Sequence, residues 1–373
     1  MGAAVYHPVP MYPRVRILLL LRLIAAAGLS AQERGSEPAR PRLDWKNLVT
    51  AYGDNTEFFT PYRVGETILG GQFTSALSVA PAAKYEVLAG VFGDVRWGSA
   101  KFLDRTRPIL SFRYHTPTSL GVLGTLETRR RHGFLEPLAV TTLELTRPIE
   151  YGLQWIENRR TWDAEGYINW QALNTPTQRE VFDYGWVLRI HPIRQLSFEH
   201  QLHGLHHGGQ LFNAGVPVTN NVGSGFGVTV GDTLPRVGLT RLTLYRLRSA
   251  GNIDPNAPAG RPRKGTGTYA RLGIQPARAV EVFAIRWWGR DFLAQDGDNN
   301  YNSAGLSPGF YRSERTYFEL GIARRATLEG GVQLDAEFRL HRIDHEKSIA
   351  IQGTSWEYSY RLVVRTPFQF TLR

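Results

Sequence analysis

The 373-residue chain has no cysteine, so neither a disulfide staple nor a thiolate metal site is open to it. Beyond position 31 it has no run of 18 apolar residues, which excludes a membrane-spanning helix from the body of the chain. No helix-period stretch is long enough to start a separate α domain, and no low-complexity linker divides the chain. Acids are the minority charge: 33 Asp and Glu stand against 44 Lys and Arg, for a net +11. What survives these exclusions is β structure, and the question is what kind.

The N-terminus narrows the answer. Arg14 and Arg16 precede "ILLLLRLIAAAGLSAQ", an apolar run ending in small residues, which is the pattern of a secretory signal peptide. Arg22 interrupts the run, and Met11 is an alternative start. Cleavage near Ala31 removes Arg14, Arg16 and Arg22 and no acid, so the net charge falls by three from +11 to +8. An exported chain is soluble in the periplasm, secreted, or a barrel in the outer membrane of a Gram-negative envelope. The expected organisation is a signal peptide over 1–31, a polar periplasmic lead-in over 32–64 with Pro38 and Pro41, and the body over 65–373.

The body alternates. In "GVQLDAEFRLHR" (331–342), Val332, Leu334, Ala336, Phe338 and Leu340 take one side and Gln333, Asp335, Glu337, Arg339 and His341 the other. Such period-2 alternation marks a strand with different environments on its two faces. "YEVLAGVFGDVRW", "ILSFRYH", "WDAEGYINWQ" and "VFDYGWVLRI" repeat the pattern. We count about sixteen such segments (14–18), each roughly 9–14 residues long, as suits tilted strands crossing a bilayer. Pro or Gly marks tight turns at "APAAK", "HTPTS", "RIHPIRQ" and "IQPAR". Longer connections fall at 205–222, 249–265, 291–311 and 343–354; in the first half the alternation of long and short slips around 146–161.

A soluble sandwich or β-helix produces the same local alternation. Two features favour lipid instead. Trp97, Tyr151, Trp162, Trp170, Trp287, Trp356 and Tyr358 sit near strand ends on the apolar register, as an interfacial girdle requires. The opposite faces carry mid-strand charges of both signs, which suits a wet lumen. The end of the chain, "YSYRLVVRTPFQFTLR", sets Tyr358, Tyr360, Leu362, Val364, Phe368, Phe370 and Leu372 on one register. It resembles the closing strand of bacterial outer-membrane β-barrels, the porin-like class, departing from it in Pro367 and in Arg373 at the last position. The resemblance implies an all-β fold, a single antiparallel transmembrane barrel, location in the cell outer membrane, and contact with outer-membrane lipid and the barrel insertion machinery.

On that fold the expected lumen-lining residues are Arg113, Arg129, Asp163, Glu165, Arg189, Arg271, Glu319, Asp335, Glu337, Arg339 and Arg361. Their excess of arginine favours anions, so the leading expectation is a porin-like channel for anionic small solutes. The alternatives are a structural or export barrel for an acidic exopolysaccharide, and an outer-membrane hydrolase. "HQLHGLHHGG" brings His203, His206 and His207 close in sequence, and "DGDNNYN" offers Asp296, Asp298 and Asn300 at alternate positions of a calcium-type loop. Strand geometry disperses the former, and Tyr301 stands where a calcium loop needs glycine, so no metal or cofactor is expected. Serines, histidines and acids fall at no spacing with a recognisable mechanism, and the expectation is a protein that is not an enzyme and binds no nucleic acid.

Overall fold

The computed structural model describes residues 41–59, 62–213, 215, 217–252, 263–305, 311–343 and 356–372. The segment read as a signal peptide, 1–31, lies outside the described residues. The first eight strands are β1 (Arg42–Glu57), β2 (Glu66–Ala82), β3 (Tyr85–Arg96), β4 (Arg105–His115), β5 (Ser119–Thr125), β6 (Tyr151–Asn158), β7 (Trp162–Ala172) and β8 (Glu180–Ile193). The second eight are β9 (Leu196–Gly208), β10 (Thr219–Leu234), β11 (Gly238–Asn252), β12 (Lys264–Ala277), β13 (Val280–Arg290), β14 (Glu314–Thr327), β15 (Gln333–Arg342) and β16 (Glu357–Thr371). Each pairs antiparallel with its neighbours in sequence, and β1 pairs with β16 to close the barrel.

The barrel begins earlier than its sequence suggests. Arg42–Glu57 falls in the segment that reads as the lead-in and is instead the first strand, held to β16 from Asp44 opposite Thr371 to Glu57 opposite Tyr358. Its inward positions, Asp44, Thr50 and Asp54, are polar and buried, while Trp45 and Val49 are exposed outside. The polar residues on its inward register make the strand read as part of a polar lead-in.

At the end of the barrel near Asp44 and Thr371 the connections are short: 83–84, 116–118, 159–161, 194–195, 235–237, 278–279 and 328–332. At the other end they are longer, reaching 126–150 and 291–313. Barrels of the outer membrane pair short periplasmic turns with long extracellular loops, which orients this one. The outside is apolar, with Leu123, Leu153, Phe226, Leu244, Ile322, Phe338 and Leu362 exposed. A closed sheet satisfies every ladder group internally, so an apolar exterior on a closed barrel is a form that spans a bilayer. In β15 the alternation resolves as lipid outside: Phe338 and Leu340 are exposed, Glu337 and His341 buried.

The lumen differs from the wet, charge-laddered interior that alternation suggests. Loop 126–150, with a one-turn 3₁₀ helix at Arg129–Gly133 and the short helix α1 (Leu143–Thr146), folds into it together with the start of loop 291–313. The two loops join through Val140 N–H to Asp296 C=O at 2.7 Å and Asp298 N–H to Glu136 C=O at 2.9 Å. Leu138, Phe292 and Tyr301 pack fully buried against Trp287, Tyr317 and Leu247 of the wall. Trp287 is therefore not in the outer girdle. β13 turns Phe283, Ile285 and Trp287 inward and leaves Val282 and Trp288 outside. Gly267 on the neighbouring strand makes room, since a Cβ there would run into the Trp287 ring.

Candidate active site

The sequence-predicted lumen residues are placed in two groups, one on the wall and one between wall and plug. On the wall, Arg189 bonds Asp163 at 3.1 Å and also engages Glu199, and Arg271 donates to Glu281 at 2.9 Å. Arg325 joins Asp335 (3.4 Å) to Glu337 (2.7 Å). Between wall and plug, Arg113 meets Glu127 at 2.6 Å, Arg339 meets Glu136 at 2.6 Å and Glu319 at 3.2 Å, and Arg361 meets Glu144 at 2.6 Å. Glu165 engages His132 of the plug. Arg129 is the exception: it opens the 3₁₀ helix of the plug and does not lie on a strand.

The metal candidates regroup. His206 engages Asn220 and packs against Phe182, away from His203. His207 is half-buried and joins no cluster of ligating side chains among the described residues. His203 faces Asp183 at 3.5 Å and Asp296 at 3.6 Å, and the three offer ligand atoms all within 4.8 Å of one another. The cluster is already neutralised: Arg147 bonds Asp296 at 2.8 Å, and Asp183 accepts from Tyr167 (3.0 Å), Asn169 (2.7 Å) and Gln171 (2.6 Å). It serves as a lock between plug and wall. Asp298 pairs with Arg63 at 2.7 Å, and its carboxyl is held above the usual range, burial outweighing the Arg63 charge. Asn300 is fully buried beneath it and gives its backbone C=O to Arg315.

A different constellation lies where β14, β15 and β16 meet below the long-loop rim. Ser359 Oγ is 2.8 Å from His341 Nε2. On the far side of the ring, His341 Nδ1 bonds the Tyr317 hydroxyl, which donates to Glu319 Oε2 at 2.6 Å; Nδ1 itself is 3.6 Å from that oxygen. The network assigns the tautomer: with the Tyr317 O–H donated to Glu319, the tyrosine oxygen accepts from Nδ1–H, leaving Nε2 to accept from the Ser359 hydroxyl. Sheet register builds this arrangement. His341 lies directly opposite Glu319, and Ser359 opposite Arg339, so the serine reaches the histidine on the diagonal. His341 and Glu319 are buried, Ser359 is half-exposed, and a small cavity beside them is lined by Asp54, Thr56, Arg63, Glu136, Arg339 and Arg361 among others. A hydroxyl, a base bonded to it, and an acid that orients the base are the parts of nucleophilic acyl transfer.

A family model described as Lipid A 3'-O-deacylase-type matches residues 37–373. The chain belongs to this family. Because the family is one of enzymes, the match overturns the expectation of a barrel without catalytic activity. No curated protein matches the chain. Among solved structures it is similar to OprD of Pseudomonas aeruginosa, at 12% identity and TM-score 0.50 over 90% of this chain and 97% of that one. A loop-deletion form of OmpT from Vibrio cholerae matches at 9% identity and TM-score 0.51, over 88% of this chain and 100% of that one. At such identity the likeness is one of fold: the chain is a closed, porin-like barrel.

The sequence marks Glu319 as a lumen residue and sets His341 on the lumen register, but does not mark Ser359 as their partner. The available signal was positional. Ser359 shares the register of Arg361, two places on, opposite the aromatic series Tyr358, Tyr360 and Leu362.

Proposed function

We propose that the protein is an outer-membrane ester hydrolase that removes an acyl chain from a lipid A-type glycolipid. Ser359 Oγ attacks the acyl carbonyl while His341 Nε2 takes its proton. The C–O bond to the sugar breaks, His341 returns the proton to the leaving alkoxide, and water then releases the acyl group from Ser359 by the same route. Tyr317 and Glu319 fix the histidine tautomer and stabilise its charged form.

The observation that carries this reading is the Ser359–His341–Tyr317–Glu319 chain inside a barrel of a deacylase family. Its height supports it as well. The site lies at the last residues of β15 and the first of β16, at the long-loop end, with Tyr358 and Tyr360 exposed on the outside at that level, where aromatic side chains mark the membrane interface. Passage of anionic solutes is less well supported, because the plug fills the lumen and the arginines Arg113, Arg189, Arg271, Arg339 and Arg361 each face a carboxylate.

The test is fatty-acid release from lipid A by refolded protein. Ser359→Ala and His341→Gln should each lower kcat by about a thousandfold or more, with the heat-modifiable folded band retained. Undiminished release by Ser359→Ala would end the assignment of the nucleophile.

A further inference from the structure

The outside of the barrel carries a second feature, on β11, β12 and β13. Low on these strands the outward positions are apolar: Leu242 and Leu244, Leu272, and Val282. Toward the long-loop end they become basic: Arg246 and Arg248, then Lys264, then Arg286 and Arg290. Arg246, Arg248, Lys264 and Arg290 are exposed and Arg286 is half-exposed. Register brings them together. Arg248, Thr266 and Arg290 lie side by side across three strands, as do Arg246, Thr268 and Trp288 one pair below. Arg246 donates to Thr268 Oγ1 at 2.8 Å, and Arg286 lies 5.3 Å from the centre of the Trp288 ring. The adjoining acids are Glu314, opposite Arg290, and Asp291, which lies 3.9 Å from the Arg290 guanidinium and accepts from the Tyr311 hydroxyl at 2.6 Å.

Five cations on one outward patch have a physical implication. A charge on the lipid face is costly at the bilayer midplane and tolerated near the interface, so the change from apolar to basic along each strand marks the boundary of the hydrocarbon. Trp288 in the middle of the patch is a residue type that anchors at that level. Above the boundary the surroundings are lipid headgroups. Arginine forks spaced over about 10 Å, two strand spacings, match the oxygens of a phosphorylated headgroup.

We propose that the outer face of β11–β13 binds the phosphate-bearing headgroup of an anionic lipid in the outer leaflet. The proposal is independent of the lumenal reading, since no residue of the Ser359 site takes part. The test is native mass spectrometry of the full chain refolded in micelles doped with phosphatidic acid or with phosphatidylcholine. The wild type should retain phosphatidic acid and shed phosphatidylcholine. The variant Arg246→Gln, Arg248→Gln, Arg286→Gln, Arg290→Gln should retain at least tenfold less. A control with as many cations removed at the short-turn end (Arg194→Gln, Arg236→Gln, Arg278→Gln, Arg324→Gln) should behave as wild type. Soluble glycerol phosphate at the same concentration should not displace the lipid. If the fourfold variant fails to give the folded band, the pair Arg248→Gln, Arg290→Gln, both exposed, replaces it with the same expectation. Equal retention by wild type and variant, equal loss in the control, or displacement by glycerol phosphate would each overturn the proposal.

Discussion

His132 ties the plug to the barrel wall, and the tie should depend on pH. The residue sits in the 3₁₀ helix of loop 126–150 with a left-handed backbone, φ 59°, between Arg131 at φ 53° and Gly133 at φ 78°. Three successive residues of that kind, two with side chains, cost conformational energy and persist where contacts over-determine them. Here the contacts are two carboxylates. Nε2 bonds Glu150 at 2.8 Å, Nδ1 bonds Glu165, and the ring stacks on Tyr167 at 3.8 Å. Arg147 approaches Glu150 at 3.7 Å and Phe134 meets the ring edge-on. A ring whose two nitrogens both face carboxylates donates from both and is imidazolium. Burial works against that charge, but the bonds to Glu150 and Glu165 outweigh it and raise the pKa from 6.5 to about 9.

The sign and size follow by linkage. A raised pKa stabilises the protonated folded form, so the contribution is complete below pH 6.5 and disappears as pH rises through about 9. The shift corresponds to about 3 kcal/mol, as an order of magnitude. Because His132 belongs to the plug and Glu165 to β7, the loss should release the plug locally before it unfolds the barrel. Trypsin susceptibility is the assay, since the arginines of loop 126–150 become cleavable when the loop leaves the lumen. Cleavage of the folded protein should accelerate between pH 6.5 and 9.5. His132→Gln should be cleaved fast throughout and lose the pH dependence. Parallel pH profiles for wild type and His132→Gln would refute the reasoning, because the remaining titrating groups are common to both.

Other outcomes follow from the same structure. Phe338→Arg, on the exposed face in the middle of β15, should destabilise refolding into liposomes by about 2–4 kcal/mol, whereas Gln333→Arg at the lumenal foot of that strand should change it by less than about 0.5 kcal/mol; denaturant titration in lipid separates the two. The wild type should show no steady conductance in a planar bilayer, and the double change Glu136→Gln, Arg147→Gln, which cuts two plug anchors, should produce intermittent openings. Arg315, almost fully buried, stacks on Tyr62 and donates to the C=O groups of Asn302 and Asn300. Arg315→Met should cost about 3 kcal/mol by leaving those carbonyls unpaired and should appear as a lower midpoint in thermal unfolding of the folded band.

What was legible in the sequence was whatever one strand can state about itself. Phe338 and Leu340 against Glu337 and His341 give the two faces of β15 without reference to any other strand, and the closing aromatic series of β16 does the same. The limits come from two physical sources. The first is the plug. "FLEPLAVTTLEL" contains enough apolar residues to pass for a strand, and only its burial, with Phe134 against Tyr167 and His203 of the wall, distinguishes a loop folded inward from one crossing the membrane. Phe292 and Tyr301 of loop 291–313 cover Trp287 of β13 in the same way, so it points inward where an aromatic near a strand end reads as girdle.

The second is register. Glu319, His341 and Ser359 are separated by 22 and 18 positions, and their faces can be read singly from alternation. Whether they meet depends on how far each strand slides against the next, and a shift of two residues preserves every face while moving the serine about 7 Å along its strand. The slide between β14 and β15 is fixed by the turn 328–332, where Gly330 and Gly331 both take positive φ, 69° and 79°. The slide between β15 and β16 is fixed by the ladder that sets Glu337 beside Arg361 and His341 beside Glu357. The grouping of Glu319, His341 and Ser359 is therefore a property of three strands and one turn, and a search for motifs of fixed spacing passes over it because the three residues stand on different strands.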